Sequence, residues 1–163
     1  MYLIDTNIHV AYLLQKFETD QLTREYISLY SGINLKDRVI PDFILAEFEI
    51  FMMQVVPSRY KLNIEDKQKL KQLTLNYLAR ITDKCTVIGT EVETVQKARD
   101  IFFENVTDHY LSFFDCLILA SAQANNFHII SKDQKLKAKA KLLQIPLYEP
   151  RRREERDLKG KSI

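Results

Sequence analysis

Met1-Tyr2-Leu3-Ile4-Asp5-Thr6-Asn7 opens the chain. A short apolar run of β-formers meets an acid, a hydroxyl and an amide in succession, which reads as a strand ending at a helix cap. The same device recurs near the other end, where Phe127-His128-Ile129-Ile130 runs into Ser131-Lys132-Asp133. Between them, residues 37–41 and 85–88 read as two further short strands, and 145–148 as a last one. The apolar periodicity places helices over 8–15, 18–30, 42–56, 65–81, 91–104, 111–125 and 133–143. Pro57 is expected to halt the third of these, and Thr90 with Glu93 to form a capping box for the helix at 91–104. The strands are apolar without alternating, and no hairpin signal separates them. That pattern belongs to a parallel sheet covered on both faces. The expected fold is therefore α/β: a three-layer α/β/α sandwich around a short central parallel sheet. In such sheets ligands bind at the carboxyl ends of the strands.

Composition narrows the chemistry. The 163 residues are 46% hydrophobic and 28% charged, as in an ordinary globular domain. No apolar run is long enough for a membrane span, and the N-terminus does not read as a signal peptide. Cys85 and Cys116 form no metal pair, so they read as core thiols of a cytoplasmic protein. There are three glycines where average usage would give about eleven. Phosphate-binding loops of the glycine-rich kind are thus excluded. Net charge is +2, unevenly spread. Residues 151–163 carry six basic and three acidic side chains, which leaves eighteen basic against nineteen acidic in the body. Residues 1–150 are expected to be the domain and 151–163 a basic tail. The tail is either a solvated terminus or an electrostatic aid to nucleic-acid binding.

Four acids stand out. Asp5 and Asp133 follow strands, so both belong to the same rim. Glu47 lies in Phe43–Met53, where nine of eleven residues are apolar, and Asp115 is the lone charge of residues 110–122. A carboxylate in such company is costly unless paired, hydrogen-bonded or bound to metal. Each also has a local alternative. Asp5, Asp115 and Asp133 could be helix caps, and Glu47 could face solvent with Glu49 as its rival. What the caps alone do not predict is convergence of all four at one point. Converging carboxylates suit Mg²⁺ or Mn²⁺ rather than zinc. His9, His109 and His128 have no ligand spacing and read as surface or partly buried neutral rings.

The motifs Leu3-Ile4-Asp5-Thr6-Asn7, Ile44-Leu45-Ala46-Glu47-Phe48, Phe114-Asp115-Cys116-Leu117-Ile118 and Ile129-Ile130-Ser131-Lys132-Asp133 resemble, in order and spacing, those of the PIN-domain family. Within it they resemble the VapC-like ribonuclease toxins. Cys116 replaces a more usual alanine, and the chain is longer than a minimal toxin around 63–81. The resemblance implies a metal-dependent endoribonuclease whose Asp5, Glu47, Asp115 and Asp133 bind Mg²⁺ or Mn²⁺. It implies a homodimer, RNA as substrate and a small antitoxin as partner. Asn7 and Ser131 are expected to orient the acids or a water. Lys132, Lys135 and Lys137, with Lys139 and Lys141 beyond them, are the candidates for phosphate contacts, or else a solvated helix face.

Overall fold

The computed structural model describes residues 1–15, 20–104 and 111–150. The expected helix start at Glu18, His109 and the basic tail lie outside them. Four strands form one sheet: β1 (Tyr2–Ile4), β2 (Arg38–Pro41), β3 (Thr86–Ile88) and β4 (His128–Ile130), in the order β3-β2-β1-β4. All three pairings are parallel, with Leu3 opposite both Val39 and Ile129. The residues at 145–148 do not add a full strand. Leu147 makes one parallel bridge to Ile129.

Helices fill the connections: α1 (Thr6–Leu13), α2 (Gln21–Gly32), α3 (Asp42–Ile50), α4 (Val56–Arg59), α5 (Ile64–Lys84), α6 (Val92–Glu104), α7 (Phe113–Asn125) and α8 (Gln134–Leu142). None of them is long and apolar enough to cross a membrane. Leu3 and Ile129 point into the larger core, with Ile40, Phe48, Met52, Ile118 and Leu119. Ile4 and Ile130, one residue on, point into a smaller core with Ile8, Tyr26 and Tyr30. That alternation is the pleat of a sheet covered on both faces.

Two expectations are corrected. Pro57 does not halt the third helix. The rod continues from α3 through a π-helical turn (Phe51–Val55) into α4, with Pro57 in the first turn of α4. A proline is tolerated there because its missing N–H falls where the ladder is already being reset. Thr90 does not spend its hydroxyl on a capping box. It donates to the Asp42 carboxylate, tying the end of β3 to the start of α3.

A polar cluster is sealed within the helices. Nδ1 of His9 lies 2.8 Å from the Tyr77 hydroxyl, which lies 2.9 Å from that of Tyr30. The Arg38 guanidinium sits 4.0 Å from the Tyr30 ring centre and donates to the Ile33 carbonyl. His9 is fully buried rather than at or near the surface, because Tyr30, Phe48 and Tyr77 pack around its ring; burial pushes its pKa down to about 3, so the ring is neutral as expected. His128 is exposed. Cys116 is buried and Cys85 half-buried; burial pushes the Cys116 thiol up to about 11.

Candidate active site

The site is built where β1 and β4 end side by side. The backbone N–H of Asp5 donates to the Ile130 carbonyl at 3.0 Å, joining the two strand ends. Asp5 is 5% exposed and is the N-cap of α1. Its carboxylate accepts from the Ser131 hydroxyl and the Asn7 side-chain amide. Asn7 also donates to Ser131 at 3.1 Å, and its carbonyl oxygen accepts from the backbone of Lys132. Asn7 and Ser131 therefore lock the β1–α1 corner to the β4–α8 corner, with Asp5 between them.

The other acids arrive from three helices. Glu47, on α3, is half-buried and accepts from the Thr6 hydroxyl. Glu49, its rival, is exposed. Asp115 forms a capping box with Ser112 at the start of α7. Asp133 caps α8, accepting from Lys135 and Leu136 backbone N–H groups at 2.7 and 2.9 Å. Each local cap reading of Asp5, Asp115 and Asp133 thus holds. All four acids also line one cavity of about 350 Å³, but among the described residues no three of them close to a single point, as the expected convergence would require. Three of the four are at once caps and cavity acids because helix starts and strand ends share the rim, whereas Glu47 comes from within α3.

The electrostatics follow from that crowding. Burial pushes the Asp5 carboxyl up to about 7, with further contributions from the negative charges of Asp115 and Glu47. Burial likewise raises Glu47, helped by Asp115, and raises Asp115, helped by Asp133. In the conformation described, no three acids among the described residues close tightly enough to hold an ion. They ring the cavity while hydroxyl and amide donors hold them. The donor set is nevertheless all oxygen and in excess of negative charge, which fits a hard divalent cation.

Sequence reading missed five cavity residues, two of them, Val10 and Ala11, small apolar side chains on α1. Thr6, which donates to Glu47, stands beside Asp5 and could have been found as a hydroxyl in the cap. Phe51 and Arg59 also line the cavity, and no sequence signal pointed to either.

A family model described as PIN domain matches residues 2–142. The chain belongs to the PIN domain family. No curated protein matches the chain significantly. Among solved structures, FitAcB from Neisseria gonorrhoeae superposes with a TM-score of 0.67 at 15% identity, over 92% of this chain and 98% of that one. VapC20 from Mycobacterium tuberculosis, described as a sarcin-ricin loop cleaving toxin, gives 0.62 at 13% identity over 85% and 95%. VapBC2 from Rickettsia felis, bound to a fragment of promoter DNA, gives 0.56 at 17% identity over 91% and 96%. At these identities the likeness is one of fold.

The lysines of this PIN domain divide. Lys132 lines the cavity, but its ammonium donates to the Thr23 hydroxyl at 3.0 Å. Lys135 is exposed at the start of α8, and its charge acts on Asp115. Lys137 is not at the surface. It is 7% exposed and pairs with Glu149 at 2.9 Å and the Tyr26 hydroxyl at 3.0 Å. Its place one turn into an amphipathic helix puts it on the buried face beside Leu136, so it is spent on the fold rather than on phosphate.

Proposed function

We propose that this PIN domain is a Mg²⁺- or Mn²⁺-dependent endoribonuclease and the toxin of a toxin–antitoxin pair. The observation that supports this most is the delivery of four carboxylates by four separate elements to one cavity at the carboxyl end of a parallel sheet. Asp5, Glu47, Asp115 and Asp133 would hold the cation. When bound, such an ion lowers the pKa of a water and offsets charge on a phosphodiester. The chain's own contribution is positioning. Asn7 and Ser131 fix the Asp5 carboxylate, Thr6 fixes Glu47, and Ser112 fixes Asp115. The raised carboxyl of Asp5 favours a bound cation, because occupancy relieves the cost of its buried charge. Lys132 and Lys135 lie where RNA phosphates would approach, and the tail at 151–163 would add a diffuse attraction. The toxin reading, a homodimer and a small antitoxin partner follow from the resemblance to VapC-like proteins.

A second reading is a non-catalytic PIN-fold binding protein. It is favoured by the absence, among the described residues, of three acids closed to coordination distance. Incubating purified protein with an RNA panel, with and without Mg²⁺ or Mn²⁺, separates the two. Metal-dependent cleavage that disappears in Asp5→Asn supports the nuclease, and RNA binding without cleavage supports the alternative.

A further inference from the structure

The π-helical turn at Phe51–Val55 changes which residue faces the acids. The Val56 N–H donates to the Phe51 carbonyl, five residues back, so one turn of the rod carries an extra residue. Ile44, Phe48, Met52 and Val56 are all buried, at a spacing of four. In an unbroken α-helix, twelve residues at that spacing drift about 120° around the axis. One wide turn removes most of this drift and keeps the stripe against the core. The opposite consequence falls on the cavity side. Starting from Glu47, three α-turns lead to Ser58, whereas two α-turns and one π-turn lead to Arg59. Glu47, Phe51 and Arg59 indeed line the same cavity.

Arg59 is exposed and makes no ion pair or hydrogen bond with any described residue, although four carboxylates share its cavity. The distance along the rod explains this. Twelve residues span roughly 18 Å, of which an extended arginine leaning toward the helix N-terminus recovers about 7 Å. The guanidinium therefore stays on the order of 10 Å short of the Glu47 carboxylate. That is too far for a phosphate being cleaved beside the acids, and suits one further along the same strand. Lys132 and Lys137 have their ammonium groups on Thr23 and Glu149, while the Arg59 fork is open to a ligand.

We infer that Arg59 is a phosphate-binding residue that grips the RNA backbone beside the scissile phosphate, and that the π-turn exists to aim it there. The inference rests on the nuclease reading for its substrate. A guanidinium offers two parallel donors to a phosphate, a geometry lysine lacks. The test is binding of a short labelled single-stranded RNA to the full chain, in Ca²⁺ and across a salt series. Arg59→Gln should weaken binding roughly tenfold and lower the salt slope by about 0.7, the value of one single-strand phosphate contact. Arg59→Lys should restore the slope but only part of the affinity. Thermal melts check that both variants fold, and the Mn²⁺-induced rise in melting temperature should match that of the native protein. Equal affinity and slope for native protein and Arg59→Gln would overturn the inference and leave the nuclease reading standing. A native protein that does not bind the RNA would overturn the inference as well. If the native protein neither cleaves nor responds to Mn²⁺, yet Arg59→Gln still loses affinity and slope, the nuclease reading fails. Arg59 then remains a phosphate contact of a binding protein.

Discussion

Two polar clusters begin within five residues of each other on the chain and serve opposite ends. Asp5 and Asn7, with Ser131, sit at the rim and open onto a cavity. His9, with Tyr77, Tyr30 and Arg38, is sealed in the interior one turn further along α1. Both bury polar atoms, but the cost falls differently. The sealed cluster is kept neutral or internally satisfied: His9 loses its proton, and the hydroxyls bond each other. Nε2 of His9 is its one loose end, without a partner among the described residues. The rim cluster instead keeps acids together, and Asp5 answers with a raised pKa. Uncompensated cost beside an open cavity is what marks a site for a ligand, whereas satisfied cost in a closed one marks a piece of the scaffold.

That distinction is open to test at several levels. The largest effect should come from Asp5→Asn set against Tyr77→Phe. Asp5→Asn should lose more than about a hundredfold in cleavage, while metal-free stability at pH 7 holds or rises by about 1–3 kcal/mol as the buried charge is removed. Tyr77→Phe should do the reverse: about 1–2 kcal/mol of stability lost because His9 and Tyr30 lose a partner, with cleavage per folded molecule unchanged. Denaturant melts and initial rates decide; an exchange of outcomes would mean the roles of the clusters are swapped.

Metal should act on one cluster only. Saturating Mg²⁺ or Mn²⁺ at about a hundred times its dissociation constant stabilises by about 2.7 kcal/mol, and a domain of this size gains about 2–4 °C per kcal/mol. The rise in melting temperature should shrink in Asp5→Asn and persist in Tyr77→Phe.

Acid should act on both, with opposite signs. The folded His9 pKa is about 3 against 6.5 when unfolded, so stability is lost as pH falls below 6.5. At pH 5 this costs about 2 kcal/mol. Asp5 has a folded pKa of about 7 against 3.8, so its burial costs less as pH falls through the same window. The His9 part is isolated by subtraction: stability should fall less between pH 7 and pH 5 in His9→Gln than in the native protein, with Asp5 common to both. Equal falls would show that His9 is not buried neutral.

The smallest effect separates two neighbouring lysines. Lys135→Ala should lower the salt slope of RNA binding by about 0.7. Lys137→Ala should leave the slope alone and cost about 1–2 kcal/mol, because Glu149 and Tyr26 lose a charged donor.

Much of this molecule was legible from residue order. The strand at Tyr2–Ile4 could be read because β-formers stop abruptly at Asp5, and the acids at 47 and 115 because a charge among apolar neighbours is expensive wherever it ends up. These are local signals, carried by neighbours in sequence. Periodicity placed every α-helix except α4 within a few residues. It missed α4 and the passage through Pro57, since helix-breaking propensity is local and the packing of Phe48, Met52 and Val56 that overrides it is not.

What the sequence by itself determined, then, is the alternation of elements and the parallel sheet, and it singled out four acids without fixing where they meet, because burial cost and capping are settled by residue type and short spacing. What only the tertiary structure decided is which polar atoms meet. Lys137 joins Glu149 rather than solvent, Asn7 reaches across 124 positions to Ser131, and His9 finds Tyr77. Arg59 comes onto the face of Glu47 by one extra residue in a turn. The reason is physical: a side chain's partner depends on the rotation of its helix and the register of distant strands, and a shift of one residue in either, too small to leave a trace in composition or period, reverses what that side chain faces.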